Sequence, residues 1–126
     1  MAHKEWSFDS VPDSFWARIE AAHGDSEKFR GSLADASRDE LQEMFTQYTE
    51  LAEQLFTEAH TALLGPDATE DTAMDIANWV VMQGKDYYRK VRDDPSQTPR
   101  TRQLRGPSFA SMIVREYRKR FGEAIT

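Results

Sequence analysis

The sequence predicts a single all-α domain, an irregular bundle of five to six helices. Apolar residues recur at steps of three and four, caps and stops punctuate those stretches, and no useful window alternates apolar with polar as a strand does. A length of 126 residues is that of one ordinary domain. Within it the expected division is a helical core over 11–92, a Pro/Arg-rich loop over 93–107 and a basic amphipathic C-terminal helix over 108–122.

The first helix is expected from Val11 to His23. Ser10 is its candidate cap, Pro12 suits a first turn, Phe15, Trp16, Ile19 and Ala22 form one stripe, and Gly24 supplies the stop. A short helix from Ser26 to Ala36 has only Phe29 and Leu33 as strong anchors, which predicts a peripheral position. At Ser37-Arg38-Asp39-Glu40 a capping box opens the longest helix. Leu41, Phe45, Tyr48, Ala52, Leu55, Ala59 and Leu63 then extend its core face over about seven turns. The opposite side, Glu43, Gln47, Glu50, Gln54 and Glu58, reads as a solvated acidic face.

Leu64-Gly65-Pro66-Asp67-Ala68 predicts a turn. Thr69 is the expected cap of the next helix, with Ala73, Ile76, Ala77, Trp79, Val80 and Val81 making a broad apolar surface. Gly84 interrupts that pattern and Tyr87, Tyr88 and Val91 resume it, which fits either a kink or two abutting helices. Residues 93–107 carry three prolines and no periodicity, a loop of a length that in compact domains is usually functional or mobile. The last helix has Phe109, Met112, Ile113, Tyr117 and Phe121 on its core stripe, with Arg115, Arg118 and Lys119 opposite and Arg120 near the boundary.

Composition excludes several chemistries. With no cysteine there is no disulfide framework, thiolate metal site or cysteine nucleophile. The longest apolar run, Trp79-Val80-Val81-Met82, is far short of the ~18 residues of a membrane span. The first residues lack the pattern of an export signal, so the cytoplasm is the expected location. Neither a Gly-rich phosphate loop nor a Gly-x-Ser-x-Gly turn occurs. Glu20-Ala21-Ala22-His23 has a spacing used in di-iron bundles, but Glu58 and His60 are only two apart, so the set is incomplete. At the end of a helix, His23 is better explained by the helix dipole. No catalytic residue, metal or cofactor is expected.

Charge is unevenly distributed. Residues 1–79 hold 17 acids and 5 bases, a net −12, and residues 80–126 hold 5 acids and 11 bases, a net +6. Oppositely charged halves often neutralise each other within one domain; the alternative is a basic surface presented to an acidic partner. With a pI near 5.0 the whole chain would repel a polyanion at range, so nucleic-acid binding is not expected.

Residues 15–95 resemble a bacterial family called domain of unknown function 4240. The likeness rests on Phe15-Trp16-Ala17-Arg18-Ile19-Glu20, the acidic-capped helix from Ser37, Thr69-Glu70-Asp71, Trp79-Val80-Val81, Gln83-Gly84-Lys85, Tyr88, Val91 and Asp94-Pro95. The Trp-apolar-apolar-x-x-Gly-Lys run is its most specific part. The chain departs from the family at Leu63-Leu64-Gly65-Pro66-Asp67, and the tail after Pro95 lies outside the likeness. The resemblance implies a helical fold and no catalytic residue.

Two candidate contact regions follow. Arg115, Arg118 and Lys119, with Arg102 and Arg105 of the preceding loop, form a surface for a protein partner with an acidic face. Asp71, Trp79, Lys85, Tyr88 and Arg89 could rim a pocket for a small ligand, peptide or enzyme substrate. The leading expectation is a non-catalytic protein-binding or accessory module. Self-association is a further one, because Tyr87, Met112 and other apolar groups crowd a small core.

Overall fold

The computed structural model describes residues 6–62, 69–99 and 108–125. Among them are seven α-helices: α1 Asp13–Ala21, α2 Ser26–Ser32, α3 Arg38–Glu53, α4 Glu58–Thr61, α5 Glu70–Met82, α6 Lys85–Asp93 and α7 Phe109–Phe121. No described residue is in a strand, so the all-α expectation holds. No helix of the described residues is long and apolar enough to cross a membrane. The expected turn at 64–68 and Arg100–Pro107 of the expected loop lie outside the described residues.

Helix α3 is the spine, packing along α5 and α7; α2 lies on α7, α1 meets α2, and α6 folds against α5. Its capping box is formed: Glu40 N donates to Ser37 Oγ at 3.1 Å and Ser37 N to Glu40 Oε1 at 3.4 Å. It is shorter than the periodicity predicts. The helix ends at Glu53, where Leu55 N bonds Ala52 O at 3.0 Å and the Leu51 carbonyl accepts from Tyr88 Oη at 2.6 Å. Beyond this break α4 holds His60, 4% exposed, whose Nδ1 meets Thr57 Oγ1 and whose Nε2 donates to Val91 O at 2.8 Å. A carbonyl in the last turn of α6, with no partner inside its own helix, is thereby satisfied.

The face of α3 expected to be solvated is partly covered. Gln47 is only 3% exposed, Trp6 N donates to the Glu50 carboxylate, and Gln54 Nε2 donates to Trp6 O at 3.0 Å. Two side chains one turn apart thus hold the chain before α1, whose Phe8 stacks on Tyr88 at 5.9 Å and lies under the Arg92 guanidinium at 4.4 Å. Phe15, Trp16 and Tyr48 extend this aromatic group into the core. Trp16 Nε1 is buried with no hydrogen-bond partner among the described residues.

Ser10 does not cap α1. Its hydroxyl accepts from Ser7 N at 2.7 Å inside a preceding turn, and Pro12 at the cap position contributes no side-chain bond. The helix closes as expected, with His23 at φ 49° and Gly24 at φ 75°. Helix α2 is not peripheral: Phe29 and Leu33 are fully buried, and the Phe29 ring lies parallel on Phe109 at 4.2 Å. A short helix with two apolar anchors becomes central because both anchors meet α7, which no local pattern shows.

At Gly84 the chain makes two abutting helices rather than one kinked helix. Its φ of 107° suits glycine, and a Cβ there would lie 3.0 Å from Glu20 Cγ. The Glu20 carboxylate uses that gap to accept from Lys85 N at 3.3 Å, capping α6 from another helix. The start of the expected loop is ordered: Asp94 accepts from Ser96 N at 3.1 Å and opens a 3-10 turn over Pro95–Gln97.

Candidate protein-binding surface

Helix α7 is built for two environments. Ser108 caps it by accepting from Ser111 N at 3.2 Å, and Gly122 ends it in a left-handed conformation, φ 69°. Phe109, Met112, Ile113, Glu116 and Tyr117 are buried; Arg115, Arg118 and Lys119 are exposed. Spacings of three and four place these three cations on neighbouring positions of one surface, where they repel one another.

Most other described cations are engaged within the chain. Arg18 donates to Ser32 O, Arg38 pairs with Glu123 and reaches Tyr117 Oη at 3.0 Å, and Lys85 pairs with Asp13 at 3.2 Å. Arg89 pairs with Asp86 at 3.3 Å and Arg92 with Asp93 at 2.8 Å. Arg120, placed by the sequence near the boundary of the basic face, turns inward. Its Nη1 donates to Ala36 O at 2.6 Å and Leu33 O at 3.3 Å, and with Arg18 it satisfies carbonyls at and beyond the end of α2. Arg115, Arg118 and Lys119 form no ion pair with any described residue. Arg102 and Arg105 lie outside the described residues.

Of the five residues of the second region, Lys85, Tyr88 and Arg89 share α6, Trp79 stands in α5, and Asp71 lies toward the other end of α5. Asp71 and Lys85 flank opposite ends of α5, whose 11 residue steps from Asp71 to Met82 span about 16 Å. Tyr88 is fully buried and its hydroxyl serves Leu51 O and Gln54 Oε1; burial pushes its pKa far up, slightly offset by Arg92. Lys85 and Arg89 are paired as above, and Trp79 is half-buried, edge-on to Tyr87 at 5.7 Å. Met112, one source of the self-association expectation, is fully buried.

Sequence reasoning missed a cleft of about 170 Å³ between α1 and α3, with Phe15 and Arg18 on one side and Glu40, Glu43, Met44 and Gln47 on the other. The buried Gln47 donates its Nε2 to Glu43 Oε1 at 3.3 Å. A signal was present: Gln47 directly precedes the core residue Tyr48, and positions 40, 43, 44 and 47 share one helical side. Elsewhere, a space of about 10 Å³ beside His60 is no larger than one water needs. No group of three or more His, Asp or Glu among the described residues is placed to hold a metal, and Glu20 is committed to Lys85 N.

No family model, no curated protein and no solved structure matches this chain.

Proposed function

We propose that the chain is a cytoplasmic, non-catalytic protein-binding or accessory module whose contact surface is the outer face of α7, Arg115, Arg118 and Lys119, with Arg102 and Arg105 before it, and whose partner presents carboxylates. One observation supports this reading: six of the nine other described cations are engaged inside the molecule, while Arg115, Arg118 and Lys119 cluster on one exposed face and form no ion pair with a described residue. Clustered like charges cost a helix a few tenths of a kcal/mol per pair, a cost that an acidic partner reverses. The dipole of α7 favours Arg118 and Lys119 in its last turn but gives no reason for Arg115, a turn earlier. Arginine adds bidentate geometry toward carboxylates.

The test is affinity capture from the native host with wild type and Arg115→Glu/Arg118→Glu. The reading expects a partner lost on charge reversal with the far-UV spectrum unchanged; a partner retained by the double variant overturns it.

A further inference from the structure

The cleft between α1 and α3 has the opposite character to the outer face of α7. Glu40 and Glu43 are exposed at its mouth, and neither forms an ion pair with a described residue. The one cation lining it, Arg18, directs Nη1 onto the Ser32 carbonyl, which leaves two carboxylates facing a single guanidinium already engaged by α2. Phe15 and Met44 supply an apolar wall, and Gln47 at the floor uses its amide nitrogen on Glu43. Carboxylates at the mouth and an apolar wall behind them suit one kind of side chain, a guanidinium on a methylene stem.

Such side chains stand on this same chain. Arg115 and Arg118 are exposed, one turn apart, and reach no described carboxylate in their own molecule. We infer that the α1/α3 cleft of one copy receives Arg115 or Arg118 from α7 of a second copy, so that the acidic partner of the basic helix is the chain itself. The inference rests on the reading of α7 as a contact surface and names its partner. The cleft and α7 are different surfaces, so the contact is head-to-tail and either closes by reciprocal exchange or continues to further copies.

Electrostatics sets the conditions. Each copy carries −6, so copies repel at long range at low salt, while paired groups at contact distance attract. At about 0.1 M salt the Debye length of about 10 Å screens the first more than the second, and at about 1 M both are screened. Association is therefore strongest at intermediate salt.

The experiment is light scattering on the full chain and two variants, Arg115→Glu/Arg118→Glu and Glu40→Gln/Glu43→Lys. Gln at position 40 keeps the capping-box pattern. Wild type is expected to exceed the monomer mass of 14.5 kDa at about 0.1 M salt and return to it at about 1 M. Each variant alone is expected to stay monomeric, because its two surfaces now carry like charge. Mixed, they are expected to form a 1:1 complex through the one surviving pairing of basic α7 and acidic cleft. Wild type that stays monomeric at about 0.1 M salt up to its solubility limit overturns the inference. So does a mixture that gives no complex. If Glu40→Gln/Glu43→Lys associates like wild type while the α7 variant does not, the cleft is the wrong receptor and the reading of α7 stands. Should the cleft variant lose its far-UV spectrum, Glu43→Gln replaces it and must weaken association for the inference to survive.

Discussion

The Tyr88 hydroxyl donates to the Leu51 carbonyl at 2.6 Å, the carbonyl that Leu55 N would meet if α3 continued; Leu55 N bonds Ala52 O instead. One side chain, 37 residues away, thus ties α6 to the end of the longest helix. Tyr88→Phe keeps the ring stack with Phe8 and removes this bond. Unfolding in urea is expected to show a loss of about 1–3 kcal/mol, the usual cost of leaving a buried acceptor unmet.

Arg118 and Arg120 are two residues apart and should behave oppositely. Arg120→Ala removes a charged donor from the carbonyls of Leu33 and Ala36, with an expected cost of about 1.5–3 kcal/mol. Arg118→Ala touches no described partner and is expected to stay within about 0.5 kcal/mol of wild type. Thermal melts of the two variants side by side make the comparison.

Gly84→Ala forces a Cβ into left-handed backbone and against Glu20 Cγ. A loss of more than about 1 kcal/mol is expected, read from the denaturation midpoint. Glu20→Ala opens that space but removes the acceptor for Lys85 N, so the double variant should lose less than the sum of the two single losses.

Stability should fall at both ends of the pH scale for identifiable reasons. Burial raises the pKa of Tyr48 and, with Arg92 opposing, of Tyr88. The unfolded chain therefore releases these protons first; the stabilisation they give is full below about pH 10 and is lost as pH rises beyond it. Tyr48→Phe and Tyr88→Phe should each flatten the alkaline limb of a stability profile. Hydrogen bonds from the Ser96 side chain and backbone, aided by Gln97 and Lys90, lower the pKa of the exposed Asp94. Its contribution is present above about pH 4 and is lost as pH falls through its lowered value, so Asp94→Ala should flatten the acid limb.

Local signals made much of this fold legible. Ser37 and Thr69 cap helices where their spacing to the next apolar stripe says they should, and Gly24 follows the end of α1 in a left-handed conformation. Period alone placed Phe15, Trp16, Ile19, Met112 and Ile113 in the core. The errors share a cause, contacts between residues far apart in the chain. Tyr88 meets the chain where α3 stops short, Phe109 packs on Phe29, and Trp6 engages Glu50 and Gln54. Of the basic surface, the exposed trio on α7 was readable from helical spacing. Of the cleft only the α3 wall was readable from spacing, because the other wall is a separate helix that only folding brings near.

The parallel rings of Phe29 and Phe109 stand 80 positions apart in the chain. At roughly 5–20 residues per second, a ribosome needs about 4–16 s to deliver the second ring after the first. Throughout that interval the hydrophobic side of α2 has no seat, and a nascent chain that has already made α3 still exposes the surface α7 will cover. The core of this chain therefore closes only when nearly all of it has been synthesised.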